Sequence, residues 1–318
     1  LYQQHKLIRS SFVRKLTRRT VMTGLAASGL LASDAGLGLT PLVVASKSDT
    51  EGALTGAMIA LVLERLGLPV QRRLGLGPTL IVRASLLAGD ITIYPEYTGN
   101  GAFFTGTESD PAWKSAESAY DTIRRSDAER GLVWLTRAPA NNTWLIAVNG
   151  ALARRERLAT MVDFARAVRG GLIRLAASTE FVESPAALPA FEAAYGFSMP
   201  LDRIVSLPGG DTSVTARAAA QGISGVNAGM VYGTDGALSA LDLTVMSDPQ
   251  GAQIVYEVAP VIRQADLARH PGIAPALARV FQSLDAATLR RLNARITVDG
   301  EVAEAVAARY LSETGLLP

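Results

Sequence analysis

The chemistry open to this chain is bounded first by what it lacks. Its 318 residues include no cysteine and two histidines. Disulfides, thiol catalysis, Cys-ligated zinc and a cysteine lipid anchor are therefore out, and histidine-based triads or metal clusters lack members. His270, beside Pro271, reads as a surface residue at a helix end rather than a base. Carboxylates could pair at Asp49 and Glu51, or act at Glu96, but capping and ion pairing are their plainer uses. The strongest chemical signal is aromatic. In Gly89-Asp-Ile-Thr-Ile-Tyr-Pro-Glu-Tyr-Thr-Gly-Asn-Gly101, Tyr94 and Tyr97 follow a short apolar run and precede a glycine-rich turn. Open α/β sheets place ligands at the C-terminal ends of strands. Tyrosine faces there suit a small cation, because the ring quadrupole attracts positive charge.

The elements that must position these rings follow from periodicity. Ile91 and Ile93 alternate with Thr92 and Tyr94, which predicts a strand over 91–94 ended by Pro95. Strands are expected also at 42–45, 70–74, 133–135, 144–148, 172–177, 204–207, 229–232, 243–246 and 254–258, alternating with helical patterns. Asp49 or Thr50 caps a helix in which Leu54, Met58, Leu61, Val62 and Leu66 recur at steps of three and four, stopped by Gly67. This alternation predicts an α/β fold, and the length predicts two lobes. One lobe is expected over 41–144 and 242–318, the other over 145–241, with 243–246 as a return strand.

The net charge of +2 is unevenly spread. Residues 1–35 carry Lys6, Arg9, Arg14, Lys15, Arg18 and Arg19 against Asp34, and the rest holds 25 basic and 28 acidic residues, a net of −3. The body is not a polyanion binder, so no nucleic-acid partner is expected. Residues 1–40 read as an export segment. In it Thr17-Arg-Arg-Thr-Val-Met22 resembles a twin-arginine signal, with a Sec signal as the alternative, and the protein is expected in the periplasm.

Gly75-Leu-Gly77-Pro lacks the third glycine of a dinucleotide fingerprint and reads as a plain strand–helix turn. Three helix starts, at Ser48–Gly52, Ser178–Phe181 and Gly210–Ser213, each follow a strand. Singly each reads as capping; together they point to one shared cleft with free N–H groups.

Long motifs then carry a resemblance. Ser46-Lys-Ser-Asp-Thr-Glu-Gly-Ala-Leu54, Tyr94-Pro-Glu-Tyr-Thr-Gly-Asn-Gly-Ala-Phe-Phe104, Asp110-Pro-Ala-Trp-Lys114, Pro139-Ala-Asn-Asn-Thr-Trp144, Leu175-Ala-Ala-Ser-Thr-Glu-Phe181, Tyr232-Gly-Thr-Asp-Gly236 and Ser247-Asp-Pro-Gln-Gly251 occur in order. They resemble the osmoprotectant substrate-binding proteins of ABC importers, of the OsmF (YehZ) type, over roughly residues 42–316. The resemblance implies a type II periplasmic-binding-protein fold, two α/β lobes joined by two crossover strands around a ligand cleft. The implied function is capture of a quaternary amine such as glycine betaine, choline or carnitine for an ABC permease and its ATPase, without enzymatic activity, cofactor or metal, by a monomer.

By the same resemblance, Tyr97, Trp144 and Tyr256 are the expected cage, with Phe181 and Tyr232 from the opposite lobe. Thr50 and Thr212 are expected near a carboxylate, and Glu51, Thr98 and Asn142 complete the expected ligand-binding set. Choline-binding relatives carry a tyrosine where this chain has Ala216 and a glutamine where it has Gly52. Three rings at ~0.5–2 kcal/mol each fall short of the ~8 kcal/mol of micromolar binding, so a missing ring matters. The alternatives are another betaine-like or zwitterionic amine such as ergothioneine, an enzyme on the same two-lobed fold, or a ligand-sensing module.

Overall fold

The computed structural model describes residues 40–207 and 212–317. The expected export segment therefore lies outside the described residues, apart from Thr40, as do Gly209, Gly210 and Asp211. Among the described residues, ten strands form two five-stranded sheets. They are β1 (Leu42–Lys47), β2 (Val70–Gly77), β3 (Ile93–Tyr97), β4 (Leu132–Trp134), β5 (Trp144–Asn149), β6 (Leu175–Ser178), β7 (Ile204–Leu207), β8 (Ala228–Tyr232), β9 (Leu243–Val245) and β10 (Val258–Arg263).

The first sheet runs β2-β1-β3-β10-β4 and the second β7-β6-β8-β5-β9. The two orders are equivalent. Each sheet has a parallel core, and its fourth position holds one antiparallel strand, β10 or β5, that enters by a crossover. Each sheet has its own apolar core. Helix Thr50–Arg65 starts at the Asp49 cap, whose Oδ1 accepts from Gly52 N at 2.7 Å, and buries Leu54, Met58 and Val62. The C-terminal helices Ile273–Gln282, Ala286–Thr297 and Ala303–Glu313 bring Leu277, Phe281, Leu289 and Val306 to the same core. Phe164, Phe181, Phe191 and Met230 fill the other.

Three expectations are corrected. The strand at the tyrosines does not end at Pro95 but continues to Tyr97, because Pro95 faces Pro260 across the antiparallel β3–β10 ladder. Such ladders alternate hydrogen-bonded and non-bonded pairs, so two prolines on one non-bonded rung forfeit nothing to each other. The expected return strand at 243–246 instead joins the second sheet, with Leu243 opposite Asn149 and Val245 opposite Ala147. Tyr195, whose hydroxyl bonds Asp248, and Gln253 Nε2, which donates to Ala187 O at 3.1 Å, tie the following residues to that lobe. The chain thus returns about ten residues later than the expected boundary at 242. Residues 254–257, expected in a strand, form the second crossover, and β10 begins only at Val258.

The two crossovers are clasped. Thr143 Oγ1 donates to Ile254 O at 2.7 Å, Asn142 N to Tyr256 O at 2.8 Å, and Tyr256 N to Asn141 Oδ1 at 2.8 Å.

Candidate functional site

β1, β3, β6 and β8 all end at one cavity between the sheets, where Trp144 of the antiparallel β5 also starts. The cavity measures about 610 Å³, within the usual range for small-molecule sites.

The first-lobe wall is built on buried carboxylates. Period-2 alternation sends Tyr94 and Glu96 to one face of β3 and Tyr97 to the other. Tyr94 is fully buried and its hydroxyl donates to Glu96 Oε2 at 2.9 Å, so of the two tyrosines in the motif only Tyr97 lines the cavity. Glu96 Oε1 accepts from Lys47 Nζ at 2.6 Å, Tyr97 N at 2.7 Å and Asn100 Nδ2 at 2.7 Å. Held there, the Lys47 ammonium sits 4.4 Å from the Tyr97 ring centroid. The Tyr97 hydroxyl donates to Glu51 Oε1 at 2.7 Å. Burial, and then the Glu51 charge, push the Tyr97 phenol well above its ordinary value. Burial also raises Glu51, against hydrogen bonds with Thr234, Tyr97 and Asn293 that favour its anion.

The second-lobe wall is apolar in its support. Trp144 packs edge-on against Phe181, with centroids 6.2 Å apart and planes at 80°, and stands opposite Tyr232 in the β5–β8 ladder. Its Nε1 is buried without a hydrogen-bond partner. Burial raises the Tyr232 phenol. Tyr256, on the second crossover, lies over Gly99, where a Cβ would come within 2.7 Å of its ring carbons. That contact accounts for one glycine of the turn after Tyr97. Burial, then Tyr232 and Glu180, push the Tyr256 phenol upward.

Of the expected residues, Tyr97, Trp144, Tyr256, Tyr232, Thr50, Glu51, Asn142 and Thr212 line the cavity. Phe181 and Thr98 do not. Phe181 is fully buried behind Trp144, and Thr98 Oγ1 donates to Val255 O at 3.1 Å while accepting from Glu257 N at 3.1 Å, a hinge contact. The two positions expected to explain a missing wall also lie off the cavity. Ala216 is fully buried against Ala147 and Val231, and a Cβ at Gly52 would come 2.9 Å from the Asp49 carboxylate that caps its N–H. Of the three helix starts, Ser178 caps Phe181 N at 3.0 Å, and the neighbouring Glu180 reaches the cavity instead.

Sequence reasoning passed over Lys47, Glu180, Asp235 and Asn293. Lys47 stood inside a quoted motif, at a strand's end. Asn293 had no signal, since its partner Glu51 is 242 positions away. Its Nδ2 donates to Glu51 Oε2 at 2.8 Å and to Thr234 O, across the cleft, at 2.9 Å. Beside it Arg290 Nε donates to Gly233 O at 2.7 Å, and a Cβ at Gly236 would lie 2.4 Å from Ala294 N. The loop after β8 thus rests directly on helix Ala286–Thr297 of the other lobe.

Asp49, Glu51, Glu180 and Asp235 line the cavity, against Lys47 as the one cationic lining side chain among the described residues. Such a site favours positive charge. No group of three His, Cys, Asp or Glu among the described residues could hold a metal ion.

Comparison with known proteins agrees with this architecture. The family profile described as the substrate binding domain of ABC-type glycine betaine transport system matches residues 40–313. The glycine betaine-binding protein YehZ of Escherichia coli K12 is 52% identical over 277 residues, 86% of this chain and 91% of that protein. A glycine-betaine-binding protein of Pseudomonas aeruginosa is 31% identical over 92% of this chain and 94% of its own length. The solved structure of apo YehZ from Escherichia coli superposes with a TM-score of 0.78 at 51% identity, covering 87% of this chain and 99% of that one. ABC substrate-binding proteins of this family are typically periplasmic. With its two equivalent sheets, paired crossovers and interlobe cavity, the chain belongs to the family of substrate-binding domains of ABC-type glycine betaine transport systems.

Proposed function

We propose that this protein captures an organic ammonium ion of the glycine betaine type between its lobes and passes it to an ABC permease driven by its ATPase. It acts as a monomer and catalyses no reaction. The observation that carries this reading is the set of four rings, Tyr97, Trp144, Tyr232 and Tyr256, around one acid-rich cavity. A quaternary ammonium cannot donate hydrogen bonds, and aromatic faces are what hold it. The rings come from both lobes and a crossover, so a ligand touching all of them favours the closed state over the open one. Thr50 and Thr212 stand at helix starts where a ligand carboxylate would meet N–H groups, with Lys47 as the nearby cation. Residues 1–40 direct export to the periplasm, by the twin-arginine route or by Sec.

Isothermal titration with glycine betaine, choline, carnitine and ergothioneine tests the reading. Saturable binding to at least one, abolished by Tyr97→Ala, is the expected result. Absence of binding to all four by folded, ligand-stripped protein would overturn it.

A further inference from the structure

Helix Thr79–Ala88 inverts the usual arrangement of a surface helix. Such helices turn apolar side chains to the core and charged ones to water. Here the only charged side chain, Arg83, is buried, and its guanidinium donates to the fully buried Asp127 at 2.6 and 3.1 Å. Val82 and Leu86 stand beside it in the core, which fixes the rotation of the helix. Leu80, Ile81 and Leu87 are thereby left outside, 71%, 53% and 48% exposed, with Ala84 and Ala88 completing the face. Single exposed apolar residues are ordinary, but a contiguous uncharged helix face marks a contact surface.

The place of this face in the fold says what it meets. Thr79, the first residue of the helix, lines the ligand cavity, as does the half-exposed Phe103, so the helix starts at the cavity's rim. On the second lobe, β7 holds the edge position that β2 holds in the first sheet. The helix after it, Thr212–Gln221, also starts at the cavity, with Thr212 and Ser213 in the lining and Val214 exposed. Both lobes thus carry exposed apolar side chains just outside the rim. A ligand held between lobes leaves where they part, so its receiver must sit there. A second copy of this chain in that place would close the rim to ligand. The net charge of −3 over residues 36–318 (25 basic, 28 acidic) disfavours anionic lipid. We propose that the outward face of helix Thr79–Ala88 docks on the ABC permease, against an apolar surface beside the permease's ligand entrance. The proposal rests on the transport reading above and adds the surface through which delivery occurs.

The test measures binding of the protein, with glycine betaine present, to its permease–ATPase complex in lipid nanodiscs by biolayer interferometry. Leu80→Glu and Leu87→Glu each put a charge on the face at an exposed position outside the cavity lining. Each should weaken binding to the complex about tenfold or more, while calorimetry with glycine betaine returns the affinity of the unaltered protein. Leu201→Glu, also exposed but placed ahead of β7, at the far end of that strand from the cavity, should change neither. Undiminished docking of the Leu80 and Leu87 variants overturns the proposal and leaves the ammonium-binding reading standing. A loss matched by Leu201→Glu overturns it too, since charge anywhere on the surface would then suffice. Binding to nanodiscs without the permease that Leu80→Glu abolishes gives the face to lipid, and a dimer in sedimentation velocity that Leu80→Glu dissociates gives it to a second copy; either result overturns the proposal. Failure of the folded, ligand-binding protein to dock on the complex at all overturns the delivery reading and this proposal together.

Discussion

The two walls of the cavity hold aromatic rings by different means. On the first lobe, Tyr97 is anchored through its hydroxyl to Glu51, through its backbone N–H to Glu96, and beneath the Lys47 ammonium at 4.4 Å. On the second, Trp144 is held by an edge-on contact with Phe181 at 6.2 Å, and its indole N–H is unpartnered. The first wall is set by charge, so pH and single-atom changes should reach it. The second is set by shape, so only loss of volume should. A folded protein thus obtains two similar ring positions from a polar network and from an apolar core, with different sensitivities.

After the loss expected of Tyr97→Ala, the next largest effect tests the shape-built wall. Trp144→Ala removes a ring whose hydroxyl-free support offers no substitute, and should weaken ligand binding by ~2–3 kcal/mol, the scale of a buried aromatic hot spot. Calorimetry checks this; a loss as small as that of Phe181→Leu would break the assignment of Trp144 to the cage.

Next comes the contact between lobes. Gly236→Val places side-chain atoms where even a Cβ meets Ala294 N at 2.4 Å. It should push the loop after β8 off helix Ala286–Thr297 and lower affinity about tenfold, or ~1.4 kcal/mol. Small-angle scattering with saturating ligand should show a larger radius of gyration than the unaltered protein.

The charge-built wall is tested by pH. Burial raises the Glu51 carboxyl, so a proton and a bound cation compete for it. Affinity for a cationic ligand should hold above the raised Glu51 value and fall as pH drops through it. Titrations across that value, repeated with Glu51→Gln, should show the dependence in the unaltered protein and its absence in the variant. A dependence that persists would overturn the assignment to Glu51.

The smallest effect belongs to Phe181→Leu. The ring is fully buried behind Trp144 and does not line the cavity. Affinity should fall by only about threefold, within the ~0.5–1.5 kcal/mol of an aromatic pair, while thermal stability falls as well.

Local patterns carried much of this protein into view. Helix Thr50–Arg65 was legible because its cap, its apolar spacing and its stop at Gly67 act within a few residues of each other. The motif around Tyr97 was legible because a ring after a strand marks a cleft edge. Tyr94 was misplaced with it, since alternation says that neighbouring side chains part but not which face is the core. Leu243–Val245 read as a strand, yet a three-residue apolar segment does not encode which sheet it joins.

By itself, then, the sequence determined the class of the fold, the order of its elements, the exclusion of thiol and histidine chemistry, and the rings at strand ends. These depend on composition and short-range periodicity. Only the tertiary structure decided that Lys47 covers one side of Tyr97, that Asn293 joins Glu51 to Thr234, and that Phe181 and Ala216 stand away from the cavity. Those outcomes depend on which distant segments meet, up to 242 positions apart. Contacts across such separations are set by the packing of whole lobes, which no local pattern contains.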